Sequence, residues 1–267
     1  MDQKVSILIV NFNSADFVEL SLYALAKLTQ NDYKVYILDN GSDKRDYKKL
    51  LNVCQRYSQV YLERWETNLR GSLAHGTAIN YLVQKVDTPY FSILDADATW
   101  LIKNWDEMLI HKLNDKVKVI GTQAPLPKPQ DFPLMFAILF ETKTFKKLNI
   151  DFRPKRNTLT EDTGFELKKK YITSGYAGRV ITMKNTRTFH RGPFKEIIVA
   201  EYYLNKKTNI FASHFGRGST IGANKYINTK QKVIYKIPIV GKILLNNRGR
   251  KEKRKWIKIC REVINEQ

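Results

Sequence analysis

The sequence has little cysteine, no long apolar run and far fewer acidic than basic residues. Its two cysteines, Cys54 and Cys260, lie far apart and form neither a redox motif nor a metal-ligand spacing. This excludes a disulfide scaffold and is typical of a reducing compartment. The longest apolar stretch, residues 133–140, is much shorter than the roughly 20 residues that span a bilayer. The apolar start, Val5 to Val10, is too short for a signal peptide, so we expect a cytoplasmic protein.

Charge is the strongest compositional signal. Basic residues outnumber acidic ones 46 to 26, which gives a net charge of +20 at pH 7. Such an excess predicts an anionic partner, which can be a nucleic acid, a membrane surface or a phosphorylated substrate. Residues 225–267 contain 13 basic and 3 acidic residues, so half of the excess lies there. A basic nucleic-acid-binding protein is one alternative, but the chain contains no nucleic-acid-binding motif.

The order of apolar segments predicts an α/β fold. With 267 residues, of which 43% are hydrophobic, the chain can bury a large core. From Val5 through Gly121, apolar strands alternate with amphipathic helices, including a strand over residues 90–94 and a helix over residues 102–113. This alternation predicts a mostly parallel, Rossmann-like sheet flanked by helices. From Thr122 onward the pattern is less regular.

Two aspartates follow the strand over residues 90–94. Asp95 and Asp97 are separated only by Ala96, so an extended chain places both carboxylates on one side. Two adjacent negative charges raise each other's pKa unless a cation lies between them. Hard divalent ions such as Mg²⁺ and Mn²⁺ bind one or two carboxylates together with substrate phosphates. The pattern therefore favours a metal–diphosphate site, with a solvated acidic turn as the alternative.

Polar residues also follow two other predicted strands. Asn11 to Asn13 end the first strand, and Asp39 ends the second. Ligands of parallel α/β sheets bind beyond the carboxyl ends of the strands. We therefore expect these residues to lie at one edge of the sheet, together with Asp95 and Asp97.

The C-terminal segment predicts a basic amphipathic helix over residues 248–267. Its apolar side chains share one side; they are Trp256, Ile257, Cys260, Val263 and Ile264. Such a helix can lie in an anionic membrane interface. It can equally pack on the domain with its charges in water, and the sequence leaves both possibilities open.

Several segments together resemble family 2 glycosyltransferases with the GT-A fold. The matching segments, in order, are Ser6–Asn13, Leu38–Ser42, Asn68–Gly71, Leu94–Asp97 and Glu161–Asp162. The resemblance covers roughly residues 4 to 190. It implies a GT-A domain over residues 1–230, with a nucleotide-binding half over 1–121 and an acceptor half over 122–230. A basic tail over 231–267 would follow as a helical appendage.

The resemblance implies a role for individual residues. The nucleotide base would lie against Val10, Asn11 and Phe12, and Asp39 would accept a hydrogen bond from a uracil-type ring. The donor site as a whole would comprise Val10, Asn11, Phe12, Asp39, Arg70, Asp95, Ala96 and Arg217. The chain departs from the family pattern after Asn68, where Arg70 to His75 replaces the common small-residue stretch.

The resemblance also implies a metal and a catalytic base. Asp95 and Asp97 would hold Mn²⁺ or Mg²⁺ with a downstream histidine, either His214 or His190. Asp162 would be the base, with Glu161 as the weaker candidate, although an acidic residue there can also cap a helix. His75 and His111 are interpreted as helix-surface or packing residues.

The implied activity is an inverting, metal-dependent transfer of a sugar from a nucleotide sugar, with UDP as the expected nucleotide. The acceptor would be a hydroxyl of a glycan, a polysaccharide or other polymer, or a lipid-linked molecule. The basic tail suggests a protein that is peripheral at the cytoplasmic membrane face. A nucleotidyltransferase on a related α/β fold is a second alternative, but the first strand is not followed by the glycine-rich basic loop it normally needs.

Overall fold

The computed structural model describes residues 4–126, 128–155, 161–204, 209–217 and 240–267. Within these ranges ten strands form one sheet, and seven α-helices accompany it. The strands are β1 (Val5–Asn11), β2 (Tyr33–Asn40), β3 (Val60–Trp65), β4 (Tyr90–Leu94), β5 (Ala98–Trp100), β6 (Val117–Thr122), β7 (Ala137–Glu141), β8 (Ala177–Asn185), β9 (Ala200–Tyr203) and β10 (Ala212–His214). The helices are α1 (Ala15–Leu28), α2 (Lys44–Cys54), α3 (Gly71–Gln84), α4 (Trp105–Ile110), α5 (Thr142–Leu148), α6 (Leu167–Thr173) and α7 (Val240–Asn265).

The strand order is β3-β2-β1-β4-β7-β6-β8-β9-β10-β5. The first four strands pair in parallel, as do β6 and β8, whereas the other neighbours pair antiparallel. The α/β prediction is confirmed, but the sheet is mixed rather than mostly parallel: four of the nine described strand pairs are parallel, and three of these lie in the N-terminal part. The carboxyl ends of β1, β2 and β4 therefore meet at one edge of the sheet, as predicted.

Both faces of the sheet are buried because strand side chains alternate between them. In β1, Val5, Ile7 and Ile9 belong to one core cluster, whereas Leu8 belongs to another. The cluster around Ile7 also contains the buried side chains of α1 and α7, and the cluster around Leu8 contains those of α3, α5 and α6. The continuous apolar run of β1 is thus explained by burial on two faces.

The region after β4 corrects one prediction. The helix predicted over residues 102–113 is shorter, because α4 spans only Trp105–Ile110. The chain also forms a short strand, β5, at Ala98–Trp100, which was not predicted. β5 pairs antiparallel with β10, and Trp100 stacks on Trp105 with ring centroids 4.7 Å apart. A three-residue strand that depends on a partner more than a hundred positions away gives no local periodicity to detect.

The C-terminal helix packs on the domain. α7 begins before the predicted start at Arg248, and its Trp256, Cys260 and Ile264 are buried in the same core cluster as β1. Residues 231–239 of the predicted tail lie outside the described part of the chain. None of the described helices is long and apolar enough to cross a membrane.

Candidate donor and metal site

Two short strands complete the site at the carboxyl end of β4. Asp95 and Asp97 lie in the turn between β4 and β5, and His214 ends β10. The register of the β5–β10 pair places His214 opposite Ala98, next to the turn. The antiparallel pairing of β5 with β10, a strand distant in sequence, therefore brings a histidine beside the two aspartates.

The three side chains form the one potential metal-binding group found among the described residues. One ligand atom from each of Asp95, Asp97 and His214 lies within 4.8 Å of the others. Nε2 of His214 is 3.2 Å from Oδ1 of Asp97 and 4.0 Å from Oδ2 of Asp95. Two carboxylates and an imidazole suit Mn²⁺ or Mg²⁺ together with ligand oxygens.

The electrostatics of Asp95 show why a cation would fit. Burial raises the pKa of Asp95 well above its usual value, and the negative charges of Asp97 and Asp162 raise it further. Oδ1 of Asp95 is buried and has no hydrogen-bond partner. A divalent ion would satisfy this oxygen and neutralise the repulsion.

Three neighbours hold the cluster in place. The backbone N–H of Arg217 donates to Oδ2 of Asp97 at 2.8 Å, and the N–H of Phe215 donates to the Asp97 carbonyl at 2.9 Å. The ring of Phe136 stacks on His214 with centroids 4.2 Å apart. These contacts orient Asp97 and the imidazole before any ligand binds.

The sequence left open whether His214 or His190 accompanies the two aspartates, and in the structure the two histidines lie in different places. His214 lies in the cluster with Asp95 and Asp97, whereas His190 is exposed in the segment after β8 and does not belong to it. Residues 218–220, which follow Arg217, lie outside the described residues.

The ends of β1 and β2 form a second site, which is held together by hydrogen bonds between its own side chains. The side-chain amide of Asn11 donates to Asp39 at 2.8 Å and to Ser42 at 3.0 Å. Ser42 also donates to Asp39, and the guanidinium of Arg64 lies 3.8 Å from the same carboxylate. Asp39 is completely buried, so its immediate role in this structure is to order the residues that follow β1 and β2.

The other predicted donor residues lie around this site. Phe12 is 47% exposed directly after β1, where its ring is available to a planar ligand. Val10 is partly buried next to it, and Ala96 is buried less than the strand residues before it. Arg70 is exposed immediately before α3. Their contact with a donor stays a prediction.

Asp162 lines the same cavity as Asp95. It is held by two residues that the sequence reasoning did not single out. Ser72 donates to Oδ1 of Asp162 at 2.6 Å, and the ammonium of Lys128 lies 2.7 Å from Oδ2. Burial alone would raise the pKa of Asp162, but Lys128 and Ser72 outweigh it and lower the pKa to about 2. The carboxylate is therefore ionised at neutral pH. The helix-capping alternative has little support, since α6 begins only at Leu167.

A cavity of about 240 Å³ lies between the metal cluster and Asp162. Its lining is mostly apolar, with two lysines and two aspartates; the lining residues are His75, Asp95, Lys128, Pro129, Phe132, Leu134, Met135, Phe136, Asp162, Thr163, Gly164, Phe165 and Lys168. A few polar groups converging in an apolar pocket are typical of a ligand site.

His75 is the clearest site residue that the sequence interpretation missed. Its Nε2 lies 3.8 Å from Asp95, and its Nδ1 lies 3.4 Å from the hydroxyl of Thr163. Burial lowers the pKa of His75 to about 4, although the charges of Asp162 and Asp97 oppose this, so the imidazole is neutral at pH 7. The available signal was the spacing of Ser72 and His75, which places both on one face of α3.

Arg217, which the resemblance places in the donor site, has a buried side chain that is paired within the protein. Its side chain is 4% exposed, and Nη1 lies 2.6 Å from Glu252 of α7. Nη2 donates to the carbonyl of Ile198, and the guanidinium lies over the ring of Phe215. Contact between this side chain and a donor stays a prediction.

Comparison with known proteins agrees with this geometry. Residues 6–174 match the family model described as glycosyl transferase family 2. A comparison with curated protein sequences finds no match.

Among solved structures, the fold is similar to that of the mannosyltransferase PcManGT from Pyrobaculum calidifontis in complex with GDP-Man and Mn²⁺. The TM-score is 0.53 at 16% identity, over 67% of this chain and 55% of that one. It is also similar to TarS from S. aureus, with a TM-score of 0.52 at 15% identity, over 68% of this chain and 35% of that one. The chain thus spans about a third to just over half of these structures.

At such identities the structural likeness shows the fold, which is GT-A. The family model, in turn, matches more than half of the chain and includes Asp39, Asp95, Asp97 and Asp162. The chain belongs to glycosyltransferase family 2.

Proposed function

We propose that this glycosyltransferase transfers a sugar from a nucleotide sugar to an acceptor hydroxyl, with inversion at the anomeric carbon and with the help of a divalent metal ion. The observation that carries the proposal is the cluster of Asp95, Asp97 and His214, in which a buried carboxylate oxygen has no partner. The ion would be Mn²⁺ or Mg²⁺ and would neutralise charge on the leaving diphosphate.

The donor would bind along the edge formed by β1, β2 and β4. The exposed ring of Phe12 offers a stacking surface for the base, and the hydrogen bonds among Asn11, Asp39 and Ser42 keep that surface in position. The PcManGT complex contains GDP-Man and Mn²⁺, which supports a nucleotide sugar as donor class. UDP is the first nucleotide to test, through the proposed role of Asp39, and GDP is the second.

Asp162 would act as the base. Its ionised carboxylate would accept the proton of the acceptor hydroxyl while that oxygen forms a bond to the anomeric carbon. The bond from this carbon to the diphosphate breaks at the same time, and the electron pair leaves with the diphosphate. A single in-line displacement inverts the configuration. Ser72 and Lys128 would hold the carboxylate at the required angle.

The acceptor would enter the cavity beside Asp162. Phe132, Phe136 and Phe165 supply apolar surface for a sugar ring, and Lys128 and Lys168 supply positive charge at the same cavity. This combination supports a glycan, a phosphate-containing polymer or a lipid-linked molecule as acceptor.

The outer face of α7 would bind an anionic membrane surface. Arg250, Lys251, Arg254 and Lys258 are exposed on one side of the helix. Ile243, which is 54% exposed, extends the same side toward the start of the helix. Cations beside exposed apolar side chains are complementary to an anionic lipid interface. The protein would then be peripheral at the cytoplasmic membrane face.

The membrane proposal is tested with vesicles of anionic and of zwitterionic lipid. Glutamine at Arg250, Lys251, Arg254 and Lys258 should release the protein from anionic vesicles and remove the salt dependence of binding. A matched control carries glutamine at four exposed lysines elsewhere, Lys116, Lys143, Lys147 and Lys169. Equal binding by both variants would contradict the proposal.

Isothermal titration tests the catalytic proposal. UDP- and GDP-sugars should bind the wild-type protein only with Mn²⁺ or Mg²⁺, and Asp97→Ala should abolish this binding. Asp115→Ala, at an exposed aspartate in the turn before β6, is the control and should bind normally. Metal-independent binding that survives Asp97→Ala would sink the proposal.

A further inference from the structure

Helix α7 contacts the segment that carries the metal ligands at two buried points. The first is the ion pair between Glu252 and Arg217, with an N–O distance of 2.6 Å and side-chain exposures of 12% and 4%. The second is the indole N–H of Trp256, which donates to the hydroxyl of Ser213 at 2.9 Å. Ser213 immediately precedes His214, so both contacts lie within a few bonds of the cluster.

Each contact leads to a different ligand. Arg217 uses its guanidinium to bind Glu252 and its backbone N–H to bind the carboxylate of Asp97. Ser213 lies in β10, where its hydroxyl also donates to the carbonyl of Ala200. The aspartate and the histidine are therefore connected to α7 through one residue each.

The helix itself is firmly attached to the domain. Trp256 is completely buried and packs against Phe17, Phe194 and Phe215, with ring centroids 5.6 to 6.4 Å apart. Lys253 forms an ion pair with Asp16 of α1. A side chain held on both sides transmits its position to what it touches, because packed interiors deform little.

We infer that α7 is a positioning element of the metal site, with Glu252 and Trp256 as its two positioning residues. The inference rests on the proposed metal site and assigns to the basic C-terminal helix a role on its inner face, separate from the outer face that would contact lipid. Glu252 holds the segment around Arg217 so that its N–H can orient Asp97. Trp256 holds β10 so that His214 faces the two aspartates.

Binding of Mn²⁺ alone, followed by the electron paramagnetic resonance signal of the free ion, tests this inference on the full chain. Substitution of a residue that orients a metal ligand typically lowers the metal affinity by 10- to 100-fold. We expect Glu252→Gln and Trp256→Phe each to weaken Mn²⁺ binding by about tenfold. Glu262→Gln is the matched control on the same helix: Glu262 is exposed, pairs only loosely with Lys258 at 3.7 Å, and should leave the affinity within about twofold.

A double variant tests the route. If Glu252 acts through Arg217, the pair Glu252→Gln and Arg217→Gln should weaken binding no more than the more affected single variant. If Glu252→Gln fails to fold, Trp256→Phe decides the question alone. Wild-type affinity in the folded variants, or an equal loss in Glu262→Gln, overturns the inference and leaves the proposed function intact. Absence of Mn²⁺ binding in the wild type overturns both.

Discussion

The ends of β2 and β4 both carry aspartates, but the two sites balance negative charge in opposite ways. At the end of β2, Asp39 is fully buried and accepts hydrogen bonds from Asn11 and Ser42, with the guanidinium of Arg64 nearby. At the end of β4, Asp95 has a buried oxygen without a partner and lies beside a second carboxylate, Asp97.

The site around Asp39 is therefore ordered without a ligand, whereas the site around Asp95 contains negative charge that the protein does not balance. A buried carboxylate is stable only when donors or cations compensate for its lost hydration. Asp39 obtains this compensation from the protein, so the edge formed by the ends of β1 and β2 is ordered in advance. Asp95 does not obtain it, and the missing positive charge is what a divalent metal would bring.

The largest effect should come from Asp95→Asn. Loss of a charged ligand should weaken Mn²⁺ binding at least about 100-fold, because a neutral amide is a poor substitute for a carboxylate. The metal-free protein should nevertheless keep or raise its melting temperature, since the variant removes a buried charge that repels Asp97. Calorimetry with and without Mn²⁺ measures both quantities. A clear loss of metal-free stability would show that the protein itself compensates the charge of Asp95.

Asp39→Asn should have the opposite profile. The variant turns the charge-assisted hydrogen bonds from Asn11 and Ser42, worth about 1.5–3 kcal/mol each, into neutral ones worth about 0.5–1.5 kcal/mol, a loss of about 2–3 kcal/mol in total. At about 2–4 °C per kcal/mol for a chain of this size, the melting temperature should fall by roughly 4–12 °C. Mn²⁺ binding measured without nucleotide should remain within about twofold of wild type. Unchanged stability would show that Asp39 is not held as the structure indicates.

The N-terminal half of the site could be predicted because its signals are local. Apolar runs such as Val5 to Val10, ended by Asn11, mark strands whose carboxyl ends meet by topology alone. Asp39, Asp95 and Asp97 follow from the same rule. Family resemblance then pointed to Asp162, whose contacts lie far away in sequence and whose role as a base stays a prediction.

What the sequence could not predict depends on pairing between distant segments. The choice between His214 and His190 is made by the β5–β10 pair, and a strand of three residues leaves no periodic signal. His75 was interpreted as a packing residue, because only the folded chain brings α3 to Asp95 and Asp162. The resemblance placed Arg217 in the donor site, whereas its partner in the structure is Glu252 of a helix whose contacts no spacing could show.

Asp162 is a third carboxylate to compare, and the ammonium of Lys128 supplies the positive charge beside it. Burial raises its pKa, and Lys128 together with Ser72 lowers it to about 2. In Lys128→Met the burial remains while the ammonium is lost, so the pKa should rise by about two to three units. A base must be ionised, and its ionised fraction falls as the pH drops toward its pKa. An acid limb from Asp162 should therefore appear at about pH 4–5 in the variant.

The measurement is the rate of sugar transfer, or of donor hydrolysis, between pH 4 and 8 at saturating Mn²⁺. Lys168→Met is the control, because Lys168 lines the same cavity but pairs with Asp131, 2.7 Å away. In wild type and control, Asp162 stays ionised throughout this range and contributes no limb of its own. If Lys128→Met lowers the rate equally at every pH, the lysine binds substrate rather than sets the charge of Asp162. That result would group Asp162 with Asp39, as a carboxylate held by several contacts within the protein.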